Sequence, residues 1–115
     1  MTDVKHLIQY VGCMEKYRQE SPIPLFRDRR TERLARGERI MKFQSIERQA
    51  VKRLGILLDS LSRNGLMILP SNHFEALGGE RKGQFSIRVN DKWRIYFEWP
   101  DDSPKPFNIE IVDCH

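Results

Sequence analysis

Asp113 and His115 stand two residues apart at the carboxyl end of the sequence. A carboxylate and an imidazole at that spacing form an acid–base pair, and histidine suits proton transfer because it titrates near neutrality. Arg94 sits inside an apolar strand pattern, between Trp93 and Ile95. A guanidinium held by such packing can stabilise the charge that develops on a pentacovalent phosphate. Gly78-Gly79-Glu80-Arg81-Lys82-Gly83 is a basic, glycine-rich turn. Its glycines let backbone approach a ligand closely, and Arg81 and Lys82 can contact phosphate. It lacks the GKS/T spacing of a nucleotide-binding loop. Taken together these residues point to phosphoryl chemistry on RNA. Each also has an ordinary reading: a frayed terminal histidine, a strand arginine facing solvent, a plain hairpin loop. His6 and His73 read as a helix-face residue and a loop residue.

Charge supports a polyanionic partner without proving one. The 115 residues carry a net charge of +4, with a pI near 9.3. Between Arg27 and Leu54 there are ten Arg/Lys against four Asp/Glu. Arginine dominates, and its planar fork matches phosphate. Arg48 and Lys52 in this stretch are candidates for a surface that docks an RNA backbone, where charge sets affinity but not sequence preference. The alternative is a solvated helical face laced with i,i+4 ion pairs. The two cysteines, Cys13 and Cys114, show no zinc or redox spacing. A reduced cytoplasmic protein is the simplest expectation. No apolar run is long enough for a signal peptide or a membrane span.

These residues need a frame to hold them. Val4, Leu7, Ile8, Val11 and Met14 recur at helical spacing, so residues 3–17 are expected to form an amphipathic helix. Ser21-Pro22-Ile23-Pro24 breaks it, which makes 1–21 an N-terminal helical extension and 22–115 the main domain. Pro24-Leu25-Phe26 is a short strand candidate. Asp28 can cap a helix that runs to about Arg36 and stops at Gly37. The strongest helical stripe runs from Ser45 to Arg63 through Ile46, Ala50, Val51, Leu54, Leu57, Leu58 and Leu61. Ser45 is its expected cap, Asn64-Gly65 its expected stop, and Arg48, Lys52 and Arg53 its polar face. Phe85, Ile87 and Val89 then alternate with polar residues, Asn90-Asp91 makes a tight turn, and Trp93, Ile95 and Phe97 alternate again. Phe107, Ile109 and Ile111 mark a last strand whose parity includes Asp113. The whole reads as α+β: helices packed on an antiparallel meander.

From Leu25 to His115 the sequence resembles the HigB branch of the RelE/ParE toxin superfamily. The resemblance rests on Leu25-Phe26-Arg27-Asp28, Gly79-Glu80-Arg81-Lys82-Gly83, Ser86-Ile87-Arg88-Val89-Asn90, Trp93-Arg94-Ile95 and Val112-Asp113-Cys114-His115. It implies helices on a twisted, mainly antiparallel sheet. It also implies a type II toxin acting as a ribosome-dependent, metal-independent mRNA endoribonuclease without cofactor. The 2′-hydroxyl attacks the adjacent phosphate, leaving a 2′,3′-cyclic phosphate and a 5′-hydroxyl. By this resemblance Asp113 and His115 are the terminal acid–base residues, Arg94 stabilises the phosphate, and Arg81 orients the RNA; Lys82 and Arg88 are further RNA-binding candidates. The implied partners are a HigA-like helix-turn-helix antitoxin, the ribosome with its mRNA, and promoter DNA reached only through the antitoxin.

The sequence departs from the family pattern at three positions. Glu75 stands where histidine is frequent, Gly78 where lysine is frequent, and Cys114 where the terminal motif has tyrosine. Glu75 can still accept a proton, so it joins the candidate catalytic residues, but its charge opposes phosphate. Two alternatives therefore stay open. One is a weakened toxin that acts mainly by binding its antitoxin and helping it repress their promoter. The other is a gyrase poison like the ParE branch.

Overall fold

The computed structural model describes residues 25–113. Four antiparallel strands form one sheet in the order β1 (Glu75–Ala76), β2 (Gln84–Arg88), β3 (Trp93–Glu98) and β4 (Phe107–Asp113). The expected meander is therefore present, joined at one edge by the short strand β1. Asn90 makes the β2–β3 turn by accepting the N–H groups of Lys92 and Trp93 at 2.8 and 2.9 Å. Between β3 and β4 the register shifts at Tyr96/Glu98. There Asn108 takes a positive φ and its amide donates to Glu98 at 2.7 Å, a local bulge that re-aims the strand.

Alternation divides the sheet into two faces. Ile87, Ile95, Phe97, Ile109 and Ile111 are buried on one of them. Phe43, Ala50, Leu54, Leu57 and Leu58 are the helical side of the same core. The helices are α1 (Arg29–Ala35), α2 (Glu47–Asp59) and α3 (Arg63–Ile68), with a 3-10 stretch at Met41–Ile46. The α+β layering follows from this burial, because each element hides its apolar stripe against the other layer.

Asp28 caps α1 as its type suggests, accepting the N–H groups of Arg30 and Thr31, both at 3.3 Å. Gly37, at φ 93, ends the helix in the left-handed conformation that glycine tolerates. Thr31 is fully buried, donates to Asp28 at 3.0 Å and accepts the N–H of Ile111 at 3.0 Å. The edge of β4 is also covered by Leu25–Arg27. Ile109 donates to the carbonyl of Leu25, and Arg27 donates to that of Ile109, each at 3.0 Å. The expected strand at Pro24–Phe26 thus appears as a single parallel bridge, Phe26 to Ile109.

The helix expected over Ser45–Arg63 is corrected in extent. Ser45 lies inside the 3-10 stretch and makes no cap, because that tighter winding buries Phe43 and Ile46 three residues apart. At the other end Ser60 is extended, and its hydroxyl donates to the carbonyl of Ile56 at 2.8 Å. Its N–H turns to the Leu57 carbonyl at 3.3 Å, the tighter bond of a closing turn, and α2 stops at Asp59. Leu61 consequently leaves the stripe and is 89% exposed. Asn64-Gly65 does not close α2 but falls within α3. The amphipathic helix expected at residues 3–17 lies outside the described residues.

Candidate phosphate-binding face

The second face of the sheet carries the candidate chemistry. Register sets Arg88 opposite Arg94, Ser86 between Glu75 and Tyr96, and Tyr96 opposite Glu110. All lie on the side away from the helical core.

Arg94 is the best-anchored cation of this face. Its side chain is only 16% exposed. Nε donates to the Ser86 hydroxyl at 2.8 Å, Nη2 to the backbone carbonyl of His73, and Nη1 lies 3.5 Å from the Glu75 carboxylate. Ser86 is fully buried, so the Nε end of the guanidinium is held. Arg88, its cross-strand neighbour, pairs with Asp91, and its Nη1 stands 3.5 Å from Nε2 of His73. Two arginines directly opposite in register repel each other unless an anion lies near them.

A network behind the sheet edge fixes His73. Asn72 is fully buried; its amide donates to the Leu66 carbonyl at 3.0 Å and its oxygen accepts from Arg53 at 2.9 Å. Arg53, expected on the polar face of α2, is therefore committed to this internal bond. The 3-10 turn Pro70–Asn72 then passes into His73 at φ 45, ψ 52, with its N–H on the Pro70 carbonyl at 3.1 Å. His73 is exposed and belongs to the site, although the sequence marks it only as a loop residue. The signal that it does more lies in space: its partners are 15 and 21 residues further along the chain.

The basic turn folds over the same face. Gly83 adopts φ 95, which lets the chain return into β2. Arg81 lies 4.6 Å from the Tyr96 ring centroid, donates to Gln84 at 3.0 Å and stands 3.6 Å from Glu110. Lys82 points to solvent. Arg27, also exposed, reaches toward Glu110 at 3.9 Å and opens onto a groove of about 550 Å³ that includes Arg29, Arg33 and Arg36. This groove lies at the β4 edge, away from Arg94, and most of its arginine charge is already paired: Arg27 with Glu110, Arg33 with Glu38 and Arg36 with Glu32.

Not every sequence candidate converges here. Arg48 and Lys52 are exposed on α2, in the layer on the other side of the sheet. Asp113 is opposite Trp93 in register, while Val112 is opposite Arg94. Asp113 thus has the parity of the core-facing residues, at an exposed strand end. His115 and Cys114 lie outside the described residues. The space around Gly78 and Gly79 is open, with nothing within 4 Å of where a Cβ would stand.

A helical layer on an antiparallel sheet whose free face presents clustered arginines is the architecture of a RelE-like protein. Residues 25–115 match the family described as RelE-like toxin of type II toxin-antitoxin system HigB, and the chain belongs to that family. It is also 44% identical over 57 residues to Toxin HigB-1 of Vibrio cholerae serotype O1. That similarity covers 50% of this chain and 60% of the relative. Among the described residues no helix is long and apolar enough to cross a membrane.

Proposed function

We propose that this protein is a ribosome-dependent endoribonuclease toxin that cuts translated mRNA. The observation that carries the reading is Arg94: a scarcely exposed guanidinium, oriented by Ser86 and by the His73 carbonyl, with a second arginine across the strand pair. Such a fixed cation acts on charge that develops in the transition state and needs no reorganisation at that moment. The scissile phosphate lies between Arg94 and Arg88, and Arg81 and Lys82 steer the flanking backbone. Arg81 lies over the Tyr96 ring, and a nucleobase can stack on that guanidinium plane or take its place on the ring. Asp113, His115 and Glu75 are the acid–base candidates. Because the ribosome presents the RNA, this small surface need not read sequence tightly. Arg48 and Lys52, on the far layer, suit contact with ribosomal RNA. A HigA-like helix-turn-helix antitoxin is the expected inhibitor, and through it the toxin reaches promoter DNA.

The test is induction of the gene in growing bacteria, with primer extension on translated messages. Cuts within codons, accompanied by growth arrest, are expected. Normal growth with intact mRNA at high levels of folded protein overturns the reading.

One contact favours a second role. Glu75 occupies part of the Arg94 fork at 3.5 Å and so competes with phosphate. A weakened toxin acting mainly as antitoxin-bound co-repressor fits that contact. Tight antitoxin binding and cooperative operator binding without RNA cleavage would mark it.

A further inference from the structure

We propose that His73 is the general base of this site, accepting the proton of the attacking 2′-hydroxyl; the assignment rests on the ribonuclease reading above. His73 is the one imidazole among the described residues, and three features aim it at the arginine pair.

The first is its anchorage. The backbone of His73 is held on both sides, by its N–H on Pro70 and by its carbonyl under the Arg94 guanidinium. Asn72, just before it, is locked between Leu66 and Arg53. The residue sits at φ 45, a conformation that non-glycine residues adopt uncommonly. The root of the exposed ring is therefore fixed beside Arg94, and the ring's own contact is with Arg88.

The second is the direction of its ring. Nε2 faces Nη1 of Arg88 at 3.5 Å. A guanidinium has donors only, so with the proton on Nδ1 the Nε2 atom can accept from it. In that tautomer the proton-accepting atom is the one on the Arg88 side of the ring.

The third is the way a substrate releases it. Arg88 is shared between Asp91 and His73. A phosphate bridging Arg88 and Arg94 draws Arg88 into a charge-assisted contact, stronger than its contact with a neutral ring. Nε2 is then uncovered beside the bound ribose. Glu75, the other acceptor near Arg94, is held against the guanidinium. Asp91 pairs with Arg88, and Asp113 stands across from Trp93, not Arg94.

In the step itself the 2′-oxygen forms a bond to phosphorus as the bond from phosphorus to the 5′-oxygen breaks. The 2′-hydroxyl proton passes to Nε2 of His73. The departing 5′-oxygen takes a proton from solvent water. The products are a 2′,3′-cyclic phosphate and a 5′-hydroxyl, and His73 gives its proton back to solvent.

The test is single-turnover cleavage of ribosome-bound mRNA by the full chain across the neutral pH range. His73→Asn is the variant of choice, because asparagine accepts the left-handed backbone and offers no base. Its rate should fall about 10²-fold or more, the usual worth of a general base, and the rise of rate with pH on the acid side should disappear. His73→Gly, equally suited to the positive φ, should recover part of its rate when imidazole is added. A wild-type rate and pH profile in His73→Asn overturns the proposal and leaves the ribonuclease reading standing. A slower variant with an unchanged profile and no imidazole rescue also overturns it, since that pattern marks a positioning role. A wild-type protein that leaves ribosome-bound mRNA intact overturns both.

Discussion

Arg94 and His73, 21 residues apart in the chain, are joined by a hydrogen bond from the guanidinium to the backbone carbonyl. The bond ties the central strand β3 to the loop that precedes β1. It is why an arginine in a strand and a histidine in a turn belong to one site.

Arg94→Lys tests the guanidinium while keeping the charge. Lysine cannot serve Ser86, Glu75 and the His73 carbonyl together, because its ammonium is a point charge on a flexible stem. Cleavage of ribosome-bound mRNA should fall about 10²- to 10³-fold, the usual effect of losing a transition-state donor. Binding to ribosomes should be nearly unchanged, and growth arrest on induction should be relieved.

Tyr96→Leu removes the ring beneath Arg81. Base stacking on an aromatic side chain contributes about 1–3 kcal/mol per base, so the concentration of programmed ribosomes for half-maximal rate should rise roughly ten- to hundredfold. Tyr96→Phe should stay close to wild type. An equal loss in both variants points instead to the hydroxyl.

Replacing Arg48 and Lys52 together by glutamine should separate docking from chemistry. Both are exposed on α2, on the side of the sheet away from Arg94. Ribosome binding should weaken, and its salt dependence should become shallower by about one phosphate contact per residue lost. The cleavage rate at saturating ribosomes should not change. A loss of that rate refutes the division between the two faces.

Asn72→Ala strips the partner from the Leu66 carbonyl and from Arg53. Leaving buried polar groups unsatisfied costs about 1–3 kcal/mol each, so a clear drop in melting temperature is expected. Cleavage should drop beyond what the lost folded fraction explains, because His73 loses its anchor. Full activity in the folded fraction argues against this route.

Asp28→Ala removes the cap of α1 and the acceptor for Thr31, whose hydroxyl seals the edge of β4. Loss of an N-cap costs roughly 1 kcal/mol. Chemical denaturation should show a modest destabilisation with cleavage retained.

Local rules made part of this protein legible in its sequence. Period-two alternation located β2, β3 and β4 and divided their faces, since neighbouring side chains on a strand must point to opposite sides. Asp28 and Gly37 marked the ends of α1 through preferences that act within a few residues. The family resemblance named Arg94, Arg88 and Arg81 together, and all three lie on one face. The extent of α2 was less legible. The apolar stripe continues through Leu61, yet the extended backbone at Ser60 and the 3-10 turn that buries Phe43 and Ile46 shift both ends.

What the sequence determined by itself was therefore the pattern: which residues are apolar, at which period, and where turns interrupt them. Only the tertiary structure decided which polar residues meet. Arg94 reaches Ser86 across a strand pair and His73 across a loop, and Arg88 reaches the same histidine. Arg48 and Lys52, just as basic, stand on the other layer. Periodicity speaks of one element at a time, whereas a site is made by register and by loop closure between elements distant in the chain.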